Sequence, residues 1–214
     1  MKTLFFLVIF ASIIICGCIG NEVIELDGVE IREYEGEDLS SINDLRDVSI
    51  SGPQEIEIND YFLEVFGLVE TPKKYTYEEV LENQKYSKVV ELQCVMGWDA
   101  KVLWEGILVK DLLYDAIPSS EANTVIFHAS DGYTTSFPLD YITENDILMA
   151  YKVNNVTLTD SAGFPFTLVA EQKWGYKWIK WITKIELSDN SEYEGYWESR
   201  GYSNSGDLED SYYD

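Results

Sequence analysis

Between residues 61 and 187 the apolar residues fall into short runs, and that brevity constrains the fold more than any other feature. The runs are YFLEVFGLV (61–69), SKVVELQC (87–94), TVIFHA (124–129), TTSFPL (134–139), DILMAYKV (146–153), FPFTLVA (164–170) and KWIKWITKIEL (177–187). Each is strand-like in length or in its β-branched and aromatic content. Between them lie short helical signals. Thr76 followed by Glu79 forms a capping box that opens a helix through about Gln84. VKDLLYDAI (109–117) is amphipathic and ends before Pro118, and PLDYI (138–142) has room for a helical turn. Asp131-Gly132 marks a hairpin between two of the runs. Short strands and short helices without a regular βαβ rhythm predict an α+β domain with mixed sheets.

The N-terminus carries a different signal. Lys2 precedes the apolar stretch LFFLVIFASIII (4–15), which is short for a membrane span and suits an export signal. Ile15-Cys16-Gly17-Cys18 resembles a prokaryotic lipobox, with Cys18 as the residue that would carry lipid; an uncleaved N-terminal anchor is the alternative. Either places the bulk of the chain on the extracytoplasmic side of the cell membrane. Residues 1–18 are thus expected to be a lipoprotein signal peptide and 19–54 an acidic tether. The domain is expected over 55–202, and residues 203–214 as an acidic tail, loose at its end. The net charge of −24 excludes a nucleic-acid partner and a basic membrane-binding patch.

After removal of the signal, Cys94 is the one thiol without lipid, so no intramolecular disulfide can form. An exported thiol that stays free must be buried or used. His128, the single histidine, is expected as a half-buried strand residue.

A set of motifs in fixed order then points to a family. It starts with Phe62 to Val69, Pro72 and Tyr77-Glu78-Glu79-Val80-Leu81, then Cys94-Val95-x-Gly97-Trp98 and Trp104-x-Gly106. Asp131-Gly132-Tyr133, Gly163-x-Pro165 and Gly175-Tyr176-Lys177-x-x-Lys180-Trp181-Ile182 follow, and Gly195-Tyr196-Trp197-Glu198 with Gly201-Tyr202 closes it. Over residues 59–202 this resembles the molybdopterin-binding oxidoreductase domain of the sulfite oxidase family. The resemblance implies that Cys94 ligates molybdenum through its thiolate and is the catalytic centre's protein ligand. It also implies that Trp178, Ile179 and Lys180 bind the pterin cofactor, with Lys180 at its phosphate. A soft thiolate suits a sulfur-rich, high-valent metal. Partners would be a small-molecule substrate or a redox partner protein, and the membrane through the N-terminal lipid.

The chain departs from the pattern in several places. Ala162 and Thr167 stand where the GxP segment normally carries an amide or imidazole and an arginine, and Ala129 replaces a polar residue. No counterpart of the family's polar N-terminal segment is evident. None of the three arginines (Arg32, Arg46, Arg200) lies between Cys94 and Leu187, so none is expected at the metal pocket. A neutral S- or N-oxide therefore suits the site better than sulfite, which needs guanidinium forks. As a strand, 178–187 would put Lys180 on one face with Trp178, Ile182 and Lys184. Two functions stay open: a membrane-anchored molybdenum oxidoreductase, and a cofactor-free binding or assembly module on the same fold.

Overall fold

The computed structural model describes residues 28–213. The expected signal peptide, Cys18 and the first part of the expected tether lie outside the described residues.

Two five-stranded sheets make the domain. The chain enters through a small hairpin, β1 (Glu33–Tyr34) and β2 (Glu37–Asp38), and then lays down β3 (Leu63–Gly67) and β4 (Lys73–Tyr75). Helix α1 (Tyr77–Leu81) follows, with the Thr76 hydroxyl accepting from the Glu79 N–H and the Glu79 carboxylate accepting from the Thr76 N–H. The long hairpin of β5 (Lys85–Cys94) and β6 (Trp98–Leu108) leads into helix α2 (Val109–Ala116), which ends at Ile117 in a left-handed conformation ahead of Pro118. Strands β7 (Thr124–Ala129) and β8 (Thr134–Pro138) form the hairpin around Asp131-Gly132. Helix α3 (Leu139–Glu144), β9 (Leu148–Val153), β10 (Val156–Thr157), β11 (Thr167–Val169) and β12 (Ile182–Ser188) complete the order.

One sheet runs β10-β9-β6-β5, with β11 also paired to β9. The other runs β4-β3-β12-β7-β8, and its β12–β3 pair is parallel. The result is a mixed-sheet α+β domain with few short helices, as the run lengths predict. A single core joins the sheets: Val102, Trp104 and Met149 from one pack with Val65, Phe127 and Ile185 from the other. Gly106 is demanded by that packing, because a Cβ there would collide with the Met149 carbonyl of the neighbouring strand.

Three expectations are corrected. Strand β6 has no counterpart among the predicted runs. The strand expected from 178 begins only at Ile182, because Gly175–Lys177 is a single 3₁₀ turn and Trp181 turns the chain with φ +53°. The acidic segment is not a free tether from residue 28 onward. Leu39 and Leu45 are buried, Ser40 N–H donates to the Lys101 carbonyl, and Ile31 N–H donates to that of Asn154. A few apolar residues in an acidic stretch suffice to pin it when buried polar groups on the domain need partners. The described part of the tail is likewise held. Ser203 N–H donates to the Tyr212 carbonyl, Leu208 N–H to that of Gln172, and Lys173 pairs with Asp207 at 2.6 Å.

Candidate functional site

Cys94 is the last residue of β5, which pairs with β6 along all 10 of its residues, ending in the Cys94–Trp98 pair. The turn that follows is closed by the Gly97 N–H on the Cys94 carbonyl at 2.9 Å, and Gly97 takes φ +79°, which a glycine adopts without cost. The sulfur therefore hangs from a register-locked hairpin end. Behind it, Gly175 comes so close that a Cβ would lie 3.1 Å from the Gln93 carbonyl oxygen and 3.5 Å from the Cys94 Cα. That approach seats the 3₁₀ turn against the strand end and delivers Trp178, Ile179 and Lys180 to the place Cys94 faces.

These four side chains line one cavity, enclosing about 1060 Å³ of empty space including its solvent-open part. Its walls are mostly aromatic. Trp104 and Trp178 pack with centroids 5.8 Å apart, and each indole N–H is satisfied, by the Val90 carbonyl at 3.3 Å and the Lys173 carbonyl at 2.9 Å. Tyr133, Trp197 and Tyr202 contribute further ring surface. Trp181 also lines it, its left-handed backbone stabilised by an indole N–H bond to the Asp160 carbonyl at 2.8 Å. A bulky residue held in this region of conformational space carries strain on the order of 1–3 kcal/mol, which surrounding contacts must offset.

The electrostatics centre on Cys94 and Lys180. Burial pushes the Cys94 thiol up, while a bond from the Met96 N–H and the charges of Lys180 and Arg46 pull in the other direction. The Lys180 ammonium is pushed down by burial, against the opposing pull of Asp47. It donates to the Ser161 carbonyl at 2.6 Å and reaches Asp47 Oδ1 at 3.5 Å.

Several residues that the motifs and spacing grouped together are separated by the fold. Lys180 and Lys184 do not share a face: Lys184 is on β12, 3.7 Å from Glu64. Lys177, from the same motif, is buried away from the cavity. It pairs with Glu198 at 2.8 Å and donates to the Ser136 and Asn204 carbonyls at 2.8 and 2.9 Å. Burial pushes its ammonium down against the pull of Glu198. Ala162 and Thr167 do line the cavity, but the Thr167 hydroxyl is spent on the Ala162 carbonyl at 2.7 Å; Ala129 is not among the lining residues. His128 is half-buried on β7 with Nε2 2.9 Å from Glu186, outside the cavity.

Arg46 is the residue that sequence reasoning misplaced. It lines the cavity together with Leu45, Val48, Ser49 and Ile50, and its guanidinium carbon lies 5.9 Å from the Trp98 ring centroid. The N-terminal segment thus supplies one cavity wall and a guanidinium that chain position alone put elsewhere. The only signal for it was the recurrence of Leu39, Leu45, Val48 and Ile50 in an otherwise acidic stretch.

Residues 50–197 match the family described as the oxidoreductase molybdopterin binding domain. The chain belongs to that family. It is 33% identical over 152 residues to the uncharacterized oxidoreductase YuiH of Bacillus subtilis (strain 168), covering 71% of this chain and 76% of that protein. It is 30% identical over 149 residues to the putative protein-methionine-sulfoxide reductase subunit YedZ1 of Azospira oryzae, covering 70% of this chain and 56% of the relative. Its fold resembles that of the sulfane dehydrogenase SoxCD from Paracoccus pantotrophus with a TM-score of 0.63 at 22% identity, over 65% of this chain and 41% of that one.

The residues present suit such a cofactor. A thiol and two cations face one cavity whose walls are mostly aromatic. Among the described residues no group of three or more His, Cys, Asp or Glu side chains could hold a metal by itself. A metal at Cys94 would therefore draw its other ligands from the cofactor.

Proposed function

We propose that this chain is a molybdopterin-dependent oxidoreductase that moves an oxygen atom from a neutral S- or N-oxide. It is proposed to be anchored by lipid on Cys18 at the extracytoplasmic side of the cell membrane. The observation that carries the catalytic part is the convergence of Cys94 and Lys180 on one cavity. Cys94 would hold the metal, Lys180 would meet the cofactor's anionic group, and Trp178 and Ile179 would flank it. When bound, the cofactor supplies oxygen-atom exchange with two-electron chemistry. The protein's own share is positioning and charge. Cys94 is fixed by the β5–β6 hairpin, and the aromatic walls would favour a substrate without charge.

A sulfoxide would leave as a sulfide and water, with two electrons from a redox partner protein and two protons. A neutral oxide is favoured over sulfite because Arg46 is the single guanidinium on the cavity, and Asp131 also lines it. The relative named as a methionine-sulfoxide reductase subunit fits that preference. One further observation speaks for a cofactor-free module on the same fold: Lys180 already faces a carboxylate of its own chain.

Metal analysis of protein made in a host competent for molybdopterin separates the two. The wild type is expected to carry molybdenum and Cys94→Ser to lose molybdenum-dependent sulfoxide reduction, since a hydroxyl is a harder and far less acidic ligand. Wild-type protein without molybdenum would sink the oxidoreductase proposal.

A further inference from the structure

Within residues 46–56, Arg46, Val48, Ser49 and Ile50 line the cavity, yet the segment makes no backbone-to-backbone hydrogen bond to any described residue. It is held by side chains. Arg46 leans toward Trp98, Asp47 faces Lys180 at 3.5 Å, Ile56 at the far end packs on the core, and the remaining bonds, Ser49 Oγ to Asp47 and Gln54 Nε2 to Ser51 Oγ and the Gly52 carbonyl, are internal to the segment. Segments with so few anchors open at the low end of a protein's local stabilities. The Asp47–Lys180 contact is at the far limit of hydrogen-bond length, so it acts mainly as charge on charge. The Asp47 side chain is 26% exposed and that of Lys180 19%. Among the described residues Asp47 is the one carboxylate within ion-pair distance of Lys180.

We propose that Asp47 stands in for a phosphomonoester at Lys180, and that residues 46–56 form a strap released when the ligand's anion takes its place. The proposal rests on the anion-binding part of the function proposed above, not on catalysis. Two anions cannot share one half-buried ammonium without mutual repulsion, and a dianion carries more charge than the carboxylate it replaces. The exchange removes the contact that draws the strap inward. Linkage makes the effect reciprocal: whatever loosens the strap tightens the anion, by the factor with which the anion loosens the strap. The cavity is then covered while empty and opens on loading.

Protein purified without molybdenum cofactor, with inorganic phosphate as the probe and chloride at matched ionic strength as control, tests this. Calorimetry reads phosphate affinity, and limited proteolysis reads cleavage within residues 46–56. Phosphate is expected to speed cleavage several-fold over chloride. Asp47→Asn is expected to bind phosphate about 5- to 10-fold more tightly and to be cleaved at the fast rate without phosphate. Lys180→Met is expected to lose phosphate binding and to be cleaved fast under every condition. Phosphate that protects the strap or leaves cleavage unchanged in the wild type overturns the proposal. So does an Asp47→Asn affinity within about twofold of wild type, whether or not Lys180→Met folds. Because no step uses molybdenum, a chain that proves unable to bind the metal but keeps this coupling would refute the oxidoreductase and leave the strap standing.

Discussion

On one side of the cavity Cys94 ends a strand that is paired along all 10 of its residues, while on the other residues 46–56 share no backbone bond with any described residue. The first wall is positioned by the backbone ladder, so side-chain changes leave its geometry standing. The second is positioned by side chains alone. A site that must hold a metal ligand to within fractions of an ångström needs the first kind of support. A site that must also admit a large ligand needs the second.

The difference between the walls is tested hardest at the buried Lys177–Glu198 pair, which ties the 3₁₀ turn behind Cys94 to the segment of Trp197 and Tyr202. Lys177→Met leaves Glu198 charged, buried and short of a partner, with Oε2 already lacking one in the native protein. A loss of about 3–5 kcal/mol in denaturant unfolding is expected, and a change under about 1 kcal/mol would show that the backbone ladder alone carries that wall. Adding Glu198→Leu should recover part of the loss.

Next in size is the root of the strap. Asn154 is fully buried with φ +48°; its Oδ1 accepts from the Leu103 N–H at 3.0 Å, and its Nδ2 donates to the Ser40 carbonyl at 2.8 Å and to Glu30 at 3.2 Å. Asn154→Ala is expected to cost about 1–3 kcal/mol and to speed proteolysis upstream of residue 46. Equal protection of that segment in variant and wild type would mean that its apolar anchors, Leu39 and Leu45, hold it unaided.

The smallest effect concerns the charge that reaches the rigid wall from across the cavity. Because burial pushes the Cys94 thiol up, its alkylation by iodoacetamide in cofactor-free protein should rise with pH around a midpoint above that of an ordinary thiol. In an Asp47→Asn background, where the strap is already loose, adding Lys180→Met should move the midpoint higher, by removing a charge that favours the thiolate. A midpoint that falls or stays put would show that Lys180 does not act on the sulfur.

Local signals were legible where the chain obeys local rules. Thr76 with Glu79 forms its capping box, and Asp131-Gly132 turns its hairpin. Cys94 and Lys180 came from motif order, and the structure brings both to one cavity. Strand β6 was illegible because consecutive residues Val102, Leu103 and Trp104 are all buried, which erases the alternation that marks a half-exposed strand. Trp178, Ile179 and Trp181 misled in the opposite sense. They are buried together and read as strand, although the chain turns at Trp181 without glycine, asparagine or proline to announce it. Arg46 was out of reach for a third reason. Its approach depends on Asn154, Ser40 and Glu30 meeting across the fold, and no window of neighbouring residues contains that information.

The central strand of the sheet β4-β3-β12-β7-β8 is also the last strand of the chain. Until residue 188 has been synthesised, the β3–β4 and β7–β8 hairpins have nothing to join them, and the Tyr61 hydroxyl lacks the Ile182 carbonyl that it reaches across 121 residues. Closing so distant a pairing is entropically slow, and it cannot begin while the ribosome still holds the C-terminal part. A nascent chain of this topology therefore keeps this sheet open until translation is nearly complete.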